Sequence, residues 1–152
     1  MRIRTAVTED VAAVVAMERE VVEAPHWGES VYTAMVSGEG SGVRRCLLVA
    51  EVDGMLVGFA VGRAIGKGLA AELESVVVAQ EWRRGGVGRA LCEGVIAWCR
   101  QGGAAEVELE VRSASRGARA LYERLGFEWV GVRKDYYREP LDDAVLMRLA
   151  IK

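Results

Sequence analysis

The sequence predicts one domain of the α/β (α+β) class over residues 1–152, with a mixed and largely antiparallel central sheet flanked by about four helices. A chain of 152 residues is long enough to enclose one substantial hydrophobic core. Short apolar runs rich in β-branched residues recur along the chain, and they predict strands. Stretches with apolar residues three and four positions apart lie between several of these runs, and they predict helices.

The N-terminal part predicts one strand and two helices. Residues 3–7 alternate like a strand, and Thr8 is the expected N-cap of a helix that continues to about residue 22. A shorter helix is expected at residues 29–36, with Gly38 ending it. The first helix is expected to turn one apolar face to the core, formed by Val11, Val14, Val15 and either Val21 or Val22.

A β-hairpin is the clearest local signal in the middle of the chain. Residues 46–52 and 55–61 have strand character, and Asp53-Gly54 between them is a dipeptide typical of tight hairpin turns. Residues 73–78 form a further apolar run, which predicts a buried strand. A helix is expected from Gly88, because the following apolar residues share one face: Leu91, Val95, Ile96 and Cys99.

The C-terminal part predicts three strands and one helix. Ser115 is a candidate N-cap for a helix at about residues 116–125, and Gly126 is expected to end that helix. The expected strands lie at residues 105–112, 127–133 and 144–151, and the last two form an antiparallel pair.

Composition excludes several classes of function. The formal charge of −2 gives no overall attraction to nucleic acid. The chain has no apolar run of membrane-spanning length and no signal peptide, so a cytoplasmic protein is expected. The three cysteines, Cys46, Cys92 and Cys99, lack metal-ligand spacing and fit reduced thiols. With His26 as the single histidine, no metal site is expected, and acid–base chemistry falls to carboxylates, tyrosines or lysines.

A glycine-rich turn at residues 83–89, Arg-Arg-Gly-Gly-Val-Gly-Arg, joins the strand at 73–78 to the next helix. Such a turn leaves backbone N–H groups unpaired at the positive end of a helix dipole, and arginines strengthen it as a phosphate site. It lacks the Gly-Lys-Ser/Thr of a P-loop and the third glycine of a dinucleotide fingerprint. A turn that only connects strand to helix is the alternative.

The strand at residues 105–112 has two chemically different faces. A row of carboxylates inside a sheet indicates either a wet cleft or a solvated edge. One face carries Val107, Leu109 and Val111, and the other carries Glu106, Glu108, Glu110 and Arg112.

Several ordered motifs resemble one family. Arg83-x-x-Gly86-x-Gly88 is similar to the acetyl-CoA-binding motif of the GNAT N-acetyltransferases. LEVR at 109–112 and ALYERLGF at 120–127 resemble a block of the bacterial ribosomal-protein-alanine acetyltransferases within that family. The family's tail is matched by RKDYY at 133–137 and DDAVLM at 142–147. The resemblance covers essentially the whole chain, most firmly from Leu73 onwards.

The resemblance implies an acetyl-CoA site without a metal. The strand residues Val76, Val77 and Val78 would offer backbone groups to the pantetheine arm. The pyrophosphate would lie on the turn formed by Arg83, Arg84, Gly85, Gly86, Val87, Gly88 and Arg89. One departure concerns Ser115, because the family usually has an asparagine there that touches the cofactor.

The resemblance also implies the catalytic residues and the acceptor. Glu110 would be the general base and Tyr122 the general acid, and no covalent enzyme intermediate is required. Glu74 competes for the role of base, because many other GNAT enzymes keep their catalytic glutamate on this strand. If the two strands splay apart, both carboxylates would border one opening. Acceptor contacts would come from Trp27, Glu74, Tyr136 and Tyr137.

Three functions remain open on these grounds. The first is acetylation of a protein N-terminus, with a ribosomal protein starting with Ala as the partner. The second is acetylation of a small amine such as a polyamine, amino acid or drug, which Glu72, Glu74, Glu106 and Glu108 would favour. The third is a non-catalytic acyl-CoA-binding module. A monomer or weak homodimer is expected, without direct contact to nucleic acid or membrane.

Overall fold

The computed structural model describes residues 1–21, 24–38 and 43–151. The strands form one seven-stranded sheet in the order β1-β2-β3-β4-β5-β7-β6, in which β4 and β5 are parallel and every other neighbouring pair is antiparallel. The strands are β1 (Arg2–Thr5), β2 (Arg44–Val52), β3 (Met55–Ala64), β4 (Ala70–Val78), β5 (Glu106–Arg112), β6 (Glu128–Arg138) and β7 (Leu141–Ala150). The helices within the described residues are α1 (Val11–Glu20), α2 (Glu29–Ser37), α3 (Val87–Gln101) and α4 (Arg116–Arg124). This architecture confirms the fold class expected from the sequence.

The sheet has a hydrophobic core on each face. One core joins the sheet to α1 and α2, and its centre includes Val14, Tyr32 and Phe59. The other joins the sheet to α3, with Leu91 and Val95 fully buried, and α4 packs at its margin. Because side chains alternate along a strand, neighbouring residues of β2 and β3 supply the two cores in turn.

Local signals locate several boundaries correctly. Asp53 and Gly54 both have positive φ, as a tight hairpin turn requires, and they join β2 to β3. Gly38 ends α2 in the left-handed conformation. Val11, Val14 and Val15 are buried as expected, Val21 is partly buried, and Val22 lies outside the described residues.

The beginning of the first helix differs from the prediction. Thr8 is not the N-cap; it starts a 3-10 turn, Thr8–Asp10, and α1 follows from Val11. Asp10 accepts a hydrogen bond from the Val7 N–H at 2.8 Å and pairs with Arg4 at 2.7 Å. The Arg4 hydrogen bond lowers the pKa of the Asp10 carboxyl. The contact with Arg4 of β1 therefore helps to set the start of α1, and the residues of the helix alone could not predict it.

The parallel strands β4 and β5 separate along their length. They pair only from Ala70 to Glu72 on β4 and from Glu106 to Glu108 on β5. Beyond Glu72, the edge of β4 that faces β5 pairs with no strand in the described part of the chain. The sheet therefore has a gap at this place, as expected if the two strands splay.

Two further properties bear on function. Burial raises the pKa of Cys46 and Cys92 to about 12 and that of Cys99 to about 11, so these thiols stay protonated and suit packing. No helix in the described ranges is long and apolar enough to cross a membrane.

Candidate active site

A cavity of about 480 Å³ lies at the gap between β4 and β5. Part of its wall packs with the core of α1 and α2, namely Val21, Ala24 and Trp27. Another part packs with the core of α3 and α4, namely Val76, Ala118 and Tyr122. The cavity therefore reaches both faces of the sheet, and two reactants can approach it from opposite sides.

A β-bulge shapes the β4 wall of this cavity. Val61 of β3 lies opposite Ser75, whereas the next residue, Gly62, lies opposite Leu73, so Glu74 is the extra residue. A bulge breaks the strict alternation of side chains. Glu74 and Ser75 both line the cavity, within the continuous stretch from Glu72 to Val77.

Glu110 lies in the β5 wall, on the sheet face opposite the buried Leu109 and Val111. Its Oε1 is 3.6 Å from Nε of Arg133. A hydrogen bond to this carboxylate, together with its charge, raises the pKa of the Tyr136 phenol. Glu110 is thus a carboxylate that borders the cavity.

The other two glutamates of β5 are not part of the cavity wall. Arg148 of β7 pairs with both, with its Nε 3.2 Å from Glu106 and its Nη2 3.4 Å from Glu108. The row of carboxylates therefore divides into an ion-paired part and a part that faces the cavity.

Tyr122 projects from α4 into the cavity wall, and its ring lies 5.9 Å from that of Phe127. It belongs to the core of α3, whereas Glu110 lies on the other sheet face. Burial raises the pKa of the Tyr122 phenol above its ordinary value. The phenol carries its proton at neutral pH, as an ordinary tyrosine also does.

Two more carboxylates border the cavity from β4. Glu74 is held by Arg45, with 2.8 Å between Oε1 and Nε. Glu72 lies 3.5 Å from Nη1 of Arg63. Burial raises the pKa of Glu72, and the charges of Glu74 and Glu110 add to the effect.

Two tyrosines of β6 lie over the cavity. Tyr136 and Tyr137 pack edge to face, with ring centres 5.1 Å apart. The Arg112 guanidinium lies 4.2 Å from the Tyr137 ring centre and donates a hydrogen bond to the Pro140 carbonyl at 2.8 Å. Arg112 therefore ties the start of β7 and the Tyr137 ring to β5.

Trp27 borders the cavity from the connection between α1 and α2. Its ring packs against Tyr32, with centres 5.9 Å apart. Its backbone N–H donates to Glu18 at 2.9 Å. Trp27 is thus partly a packing residue and partly a wall of the site.

The glycine-rich turn forms the N-terminus of α3. Gly86 is the N-cap with a φ of 88°, and the Ala90 N–H donates to its carbonyl at 3.0 Å. No side chain caps this end, so the first-turn N–H groups of Val87, Gly88 and Arg89 have no intrahelical acceptor. They are available to an anion.

The turn fits a pyrophosphate. A Cβ at Gly86 would meet no atom within 4 Å, so the space above the turn is open. Arg83, Arg84 and Arg89 are exposed around it. Exposed guanidinium groups and free N–H donors are the groups that bind phosphate oxygens.

Ser115 takes the N-cap position of α4, but its side chain makes no capping hydrogen bond, contrary to the expected cap. It lines the cavity instead. Ala118 and Tyr122 of α4 line the same cavity.

Most of the sequence-predicted site residues meet at this cavity, and one group lies beside it. The residues in the wall are Trp27, Glu74, Val76, Val77, Glu110, Ser115, Tyr122, Tyr136 and Tyr137. Val78 and residues 83–89 follow directly after the cavity portion of β4. A Cβ at Gly88 would lie 3.6 Å from the Val78 side chain, which shows that turn and strand adjoin.

Nine of the residues that line the cavity are not among the predicted site residues, and the two charged ones are Glu72 and Arg112. The sequence predicts Arg112 only as part of a charged strand face, and Glu72 only as a contribution to the acidity that would favour a small amine. Their places depend on strand pairing, for which neither has a local signal. Within the described residues, no group of three or more His, Cys, Asp or Glu side chains could hold a metal ion.

Comparison with known proteins agrees with this geometry. Residues 14–127 match the model of the acetyltransferase (GNAT) family. The [ribosomal protein bS18]-alanine N-acetyltransferase of Escherichia coli K12 is 31% identical over 146 residues, which are 95% of this chain and 93% of that protein.

Solved structures share the fold. The crystal structure of the ribosomal-protein-S18-alanine N-acetyltransferase from Escherichia coli has a TM-score of 0.81 at 31% identity, covering 99% of this chain and 94% of that one. The yncA protein of Salmonella typhimurium, solved with acetyl-CoA, has a TM-score of 0.83 at 21% identity, covering 100% and 94%. The matched family model and these similarities over the full length show that the chain belongs to the GNAT family of N-acetyltransferases.

Proposed function

We propose that the protein transfers the acetyl group of acetyl-CoA to the α-amine of a protein N-terminus, with a ribosomal protein that starts with Ala as the model acceptor. The cavity through the sheet carries this proposal, because it has a carboxylate, Glu110, on one face and a protonated phenol, Tyr122, on the other. The acceptor is supported by the Escherichia coli relative, which is named for the alanine of bS18. Such an acceptor is made in the cytoplasm, where we place the reaction.

Glu110 acts on the acceptor. An N-terminal α-amine has a pKa of about 8, so much of it is protonated at neutral pH and cannot attack a carbonyl. Glu110 takes this proton, directly or through one water, a role that typically contributes about 10²–10⁴ in rate.

The other sheet face holds the acetyl donor. When bound, acetyl-CoA supplies a thioester with a good leaving group. The turn at residues 83–89 would hold its pyrophosphate, and the unpaired edge of β4 at Val76–Val78 would hold the pantetheine arm. Tyr122 keeps a proton at its phenol oxygen for the departing sulfur.

Three features favour a peptide as the acceptor. Tyr136 and Tyr137 carry hydroxyl groups over the cavity, where an extended backbone could accept or donate hydrogen bonds. Trp27 supplies an apolar wall on the same side. The cavity also reaches the face of α1 and α2, from which a chain terminus would enter.

A small amine is the second candidate. Glu72 and Glu74 add two carboxylates to Glu110 in one cavity, as a polyamine site would need. However, each of the three carboxylates already faces an arginine, at 3.5 Å for Glu72, 2.8 Å for Glu74 and 3.6 Å for Glu110, so much of that charge is already neutralised. The observation therefore weighs less than the peptide features.

An acetyl-transfer assay separates the two candidates. The enzyme is incubated with acetyl-CoA and a peptide that begins with Ala and contains one internal Lys, and separately with spermidine. Tandem mass spectrometry then locates the acetyl group. We expect it on the α-amine of the peptide.

The matched control is the same peptide with a blocked N-terminus, which should remain unmodified. Acetylation confined to the lysine side chain or to spermidine would contradict the proposal and favour the small-amine reading.

A further inference from the structure

One buried carboxylate has no part in the proposed chemistry. Glu18 of α1 is only 1% exposed. Its Oε2 accepts hydrogen bonds from the Trp27 N–H at 2.9 Å and from the Tyr32 hydroxyl, and its Oε1 accepts one from the Gly28 N–H at 3.2 Å. All three donors are neutral, and two of them are consecutive backbone amides.

These donors lie where the connection between α1 and α2 ends. Gly28 is the N-cap of α2 and has a φ of 87°, which places its N–H and that of Trp27 near the positive end of the helix. A carboxylate at this point satisfies both amides at once. Glu18 thus fixes the start of α2 and the backbone of Trp27 relative to α1.

The same connection forms one wall of the cavity. Ala24, Pro25 and Trp27 line it, on the face from which the acceptor is proposed to enter. The Trp27 ring can keep its place only while its backbone does. The Glu18 bonds join this backbone directly to the body of α1.

We propose that Glu18 is a positioning residue for the acceptor: it holds the Trp27 wall in the geometry that receives the incoming amine. The inference rests on the proposed function only in taking this wall as the acceptor side. An apolar residue would serve packing alone at lower cost, because burying a carboxylate requires desolvating it. The hydrogen bonds to the Trp27 and Gly28 N–H groups explain why a carboxylate is present here.

Glu18→Gln tests this role with little change in shape. Both oxygens of Glu18 accept backbone N–H groups, so the amide nitrogen of glutamine would face a donor at one of them. We expect the KM for the acceptor to rise about tenfold, the loss typical of a charged hydrogen bond. The KM for acetyl-CoA and the kcat at saturating acceptor should change by less than about twofold, because the wall is proposed to contact the acceptor and not the cofactor.

Two matched variants accompany it. Glu20→Gln removes an exposed carboxylate two residues along the same helix and should leave every constant unchanged. Tyr32→Phe removes one of the three donors and should raise the acceptor KM by a smaller factor, about threefold. Should Glu18→Gln not fold, Tyr32→Phe decides the question.

A second readout does not depend on activity. Hydrogen exchange of the Trp27 and Gly28 amides should be slow in the wild-type protein and much faster in Glu18→Gln, while exchange of the β3 amides stays unchanged. The acceptor used in these kinetics is whichever amine the wild-type enzyme acetylates. If that amine is not a protein N-terminus, the proposed function fails, and the wild-type assay alone shows it. An acceptor KM equal to the wild-type value in both Glu18→Gln and Tyr32→Phe would overturn the positioning role. An equal rise in the KM for the acceptor and the KM for acetyl-CoA would overturn it too.

Discussion

At the scale of single residues, the site depends on environments that shift proton affinity. Tyr122 and Glu110 sit on opposite sheet faces, and burial raises the pKa of the Tyr122 phenol. Glu72, by contrast, is a carboxyl whose pKa is raised by burial and by the neighbouring charges of Glu74 and Glu110. Residues with such shifted values often mark functional sites.

Tyr122→Phe should lower kcat by about 10²-fold or more, because it removes the proton donor for the leaving sulfur. The phenylalanine ring can keep the contact with Phe127 at 5.9 Å, so the fold and the KM for acetyl-CoA should change little. Steady-state kinetics and a melting curve measure the two effects. A kcat within about threefold of the wild-type value would remove Tyr122 from the chemistry.

The pH dependence of the wild-type enzyme follows from the same shift. The pKa of Tyr122 is raised, so its acid form persists to higher pH than in an ordinary tyrosine, which titrates near about 10. No alkaline fall in kcat due to this residue is therefore expected below about pH 10. An alkaline fall near pH 9 that disappears in Tyr122→Phe would contradict the assignment.

At the scale of elements, the glycine turn combines a backbone conformation that favours glycine with the proposed pyrophosphate site. Gly86 has a φ of 88°, a region that β-branched residues avoid. Gly86→Val should raise the KM for acetyl-CoA by about tenfold, because it displaces the first-turn amides and fills the space above them. The KM for the acceptor should stay the same.

The matched control for the turn is Gly68→Val. Gly68 also has a positive φ, 73°, with nothing within 4 Å of its Cβ position, but it lies in the turn between β3 and β4. It carries the same backbone strain without the anion site. An equal rise in the KM for acetyl-CoA in both variants would show that strain alone causes the effect.

The N-terminal elements are joined by a charged contact whose contribution depends on pH. Asp10 accepts from two nitrogens of Arg4, and Arg4 also pairs with Glu51 at 3.0 Å. Asp10→Asn should lower the free energy of unfolding at pH 7 by about 1–3 kcal/mol, and Glu9→Gln, in the same turn, should not. Denaturant unfolding at several pH values measures the difference.

The sign of this pH dependence is fixed by the lowered pKa of Asp10. The stability that the carboxylate contributes is complete above the value in the unfolded chain, about 4, and is lost as pH falls through the lower folded value. The gap between wild type and Asp10→Asn should therefore narrow below about pH 4. A gap that stays constant down to pH 2 would mean that the ion pair is not its source.

Features that depend on local signals can be predicted from the sequence, whereas features that depend on long-range contacts cannot. Asp53-Gly54 locates a hairpin, because turn geometry is a property of the two residues themselves. Thr8 fails as an N-cap because Arg4 of the first strand recruits Asp10 instead. β6 continues to Arg138, beyond the expected end at residue 133, because the start of β7 pairs with it.

At the scale of the whole molecule, the sheet gap creates the site. The LEVR and ALYERLGF blocks predict which residues carry the chemistry, through resemblance to a family. Glu72 and Arg112 also line the cavity, and their places depend on the bulge at Glu74 and on the point where β4 and β5 separate. Both features are set by pairing with the neighbouring strands. A cavity shared by two faces is thus a property of topology that no single segment encodes.

The identity of the base is the central claim for the whole site. Glu110 and Glu74 both border the cavity. The Glu74 side chain is only 12% exposed, and its carboxylate lies 2.8 Å from Nε of Arg45. The Glu110 side chain is 27% exposed, and its arginine lies at 3.6 Å. Glu110 is therefore freer to reach an amine.

The most direct test is the pH dependence of kcat/KM for the acceptor in Glu110→Gln, with Glu74→Gln as its matched control. We expect Glu110→Gln to lose about 10²-fold or more at pH 7 and to recover at high pH, where the amine is already neutral, with affinity for acetyl-CoA unchanged. Glu74→Gln should lose much less at every pH. Full activity in Glu110→Gln beside an inactive Glu74→Gln would contradict the account and transfer the role of base to Glu74.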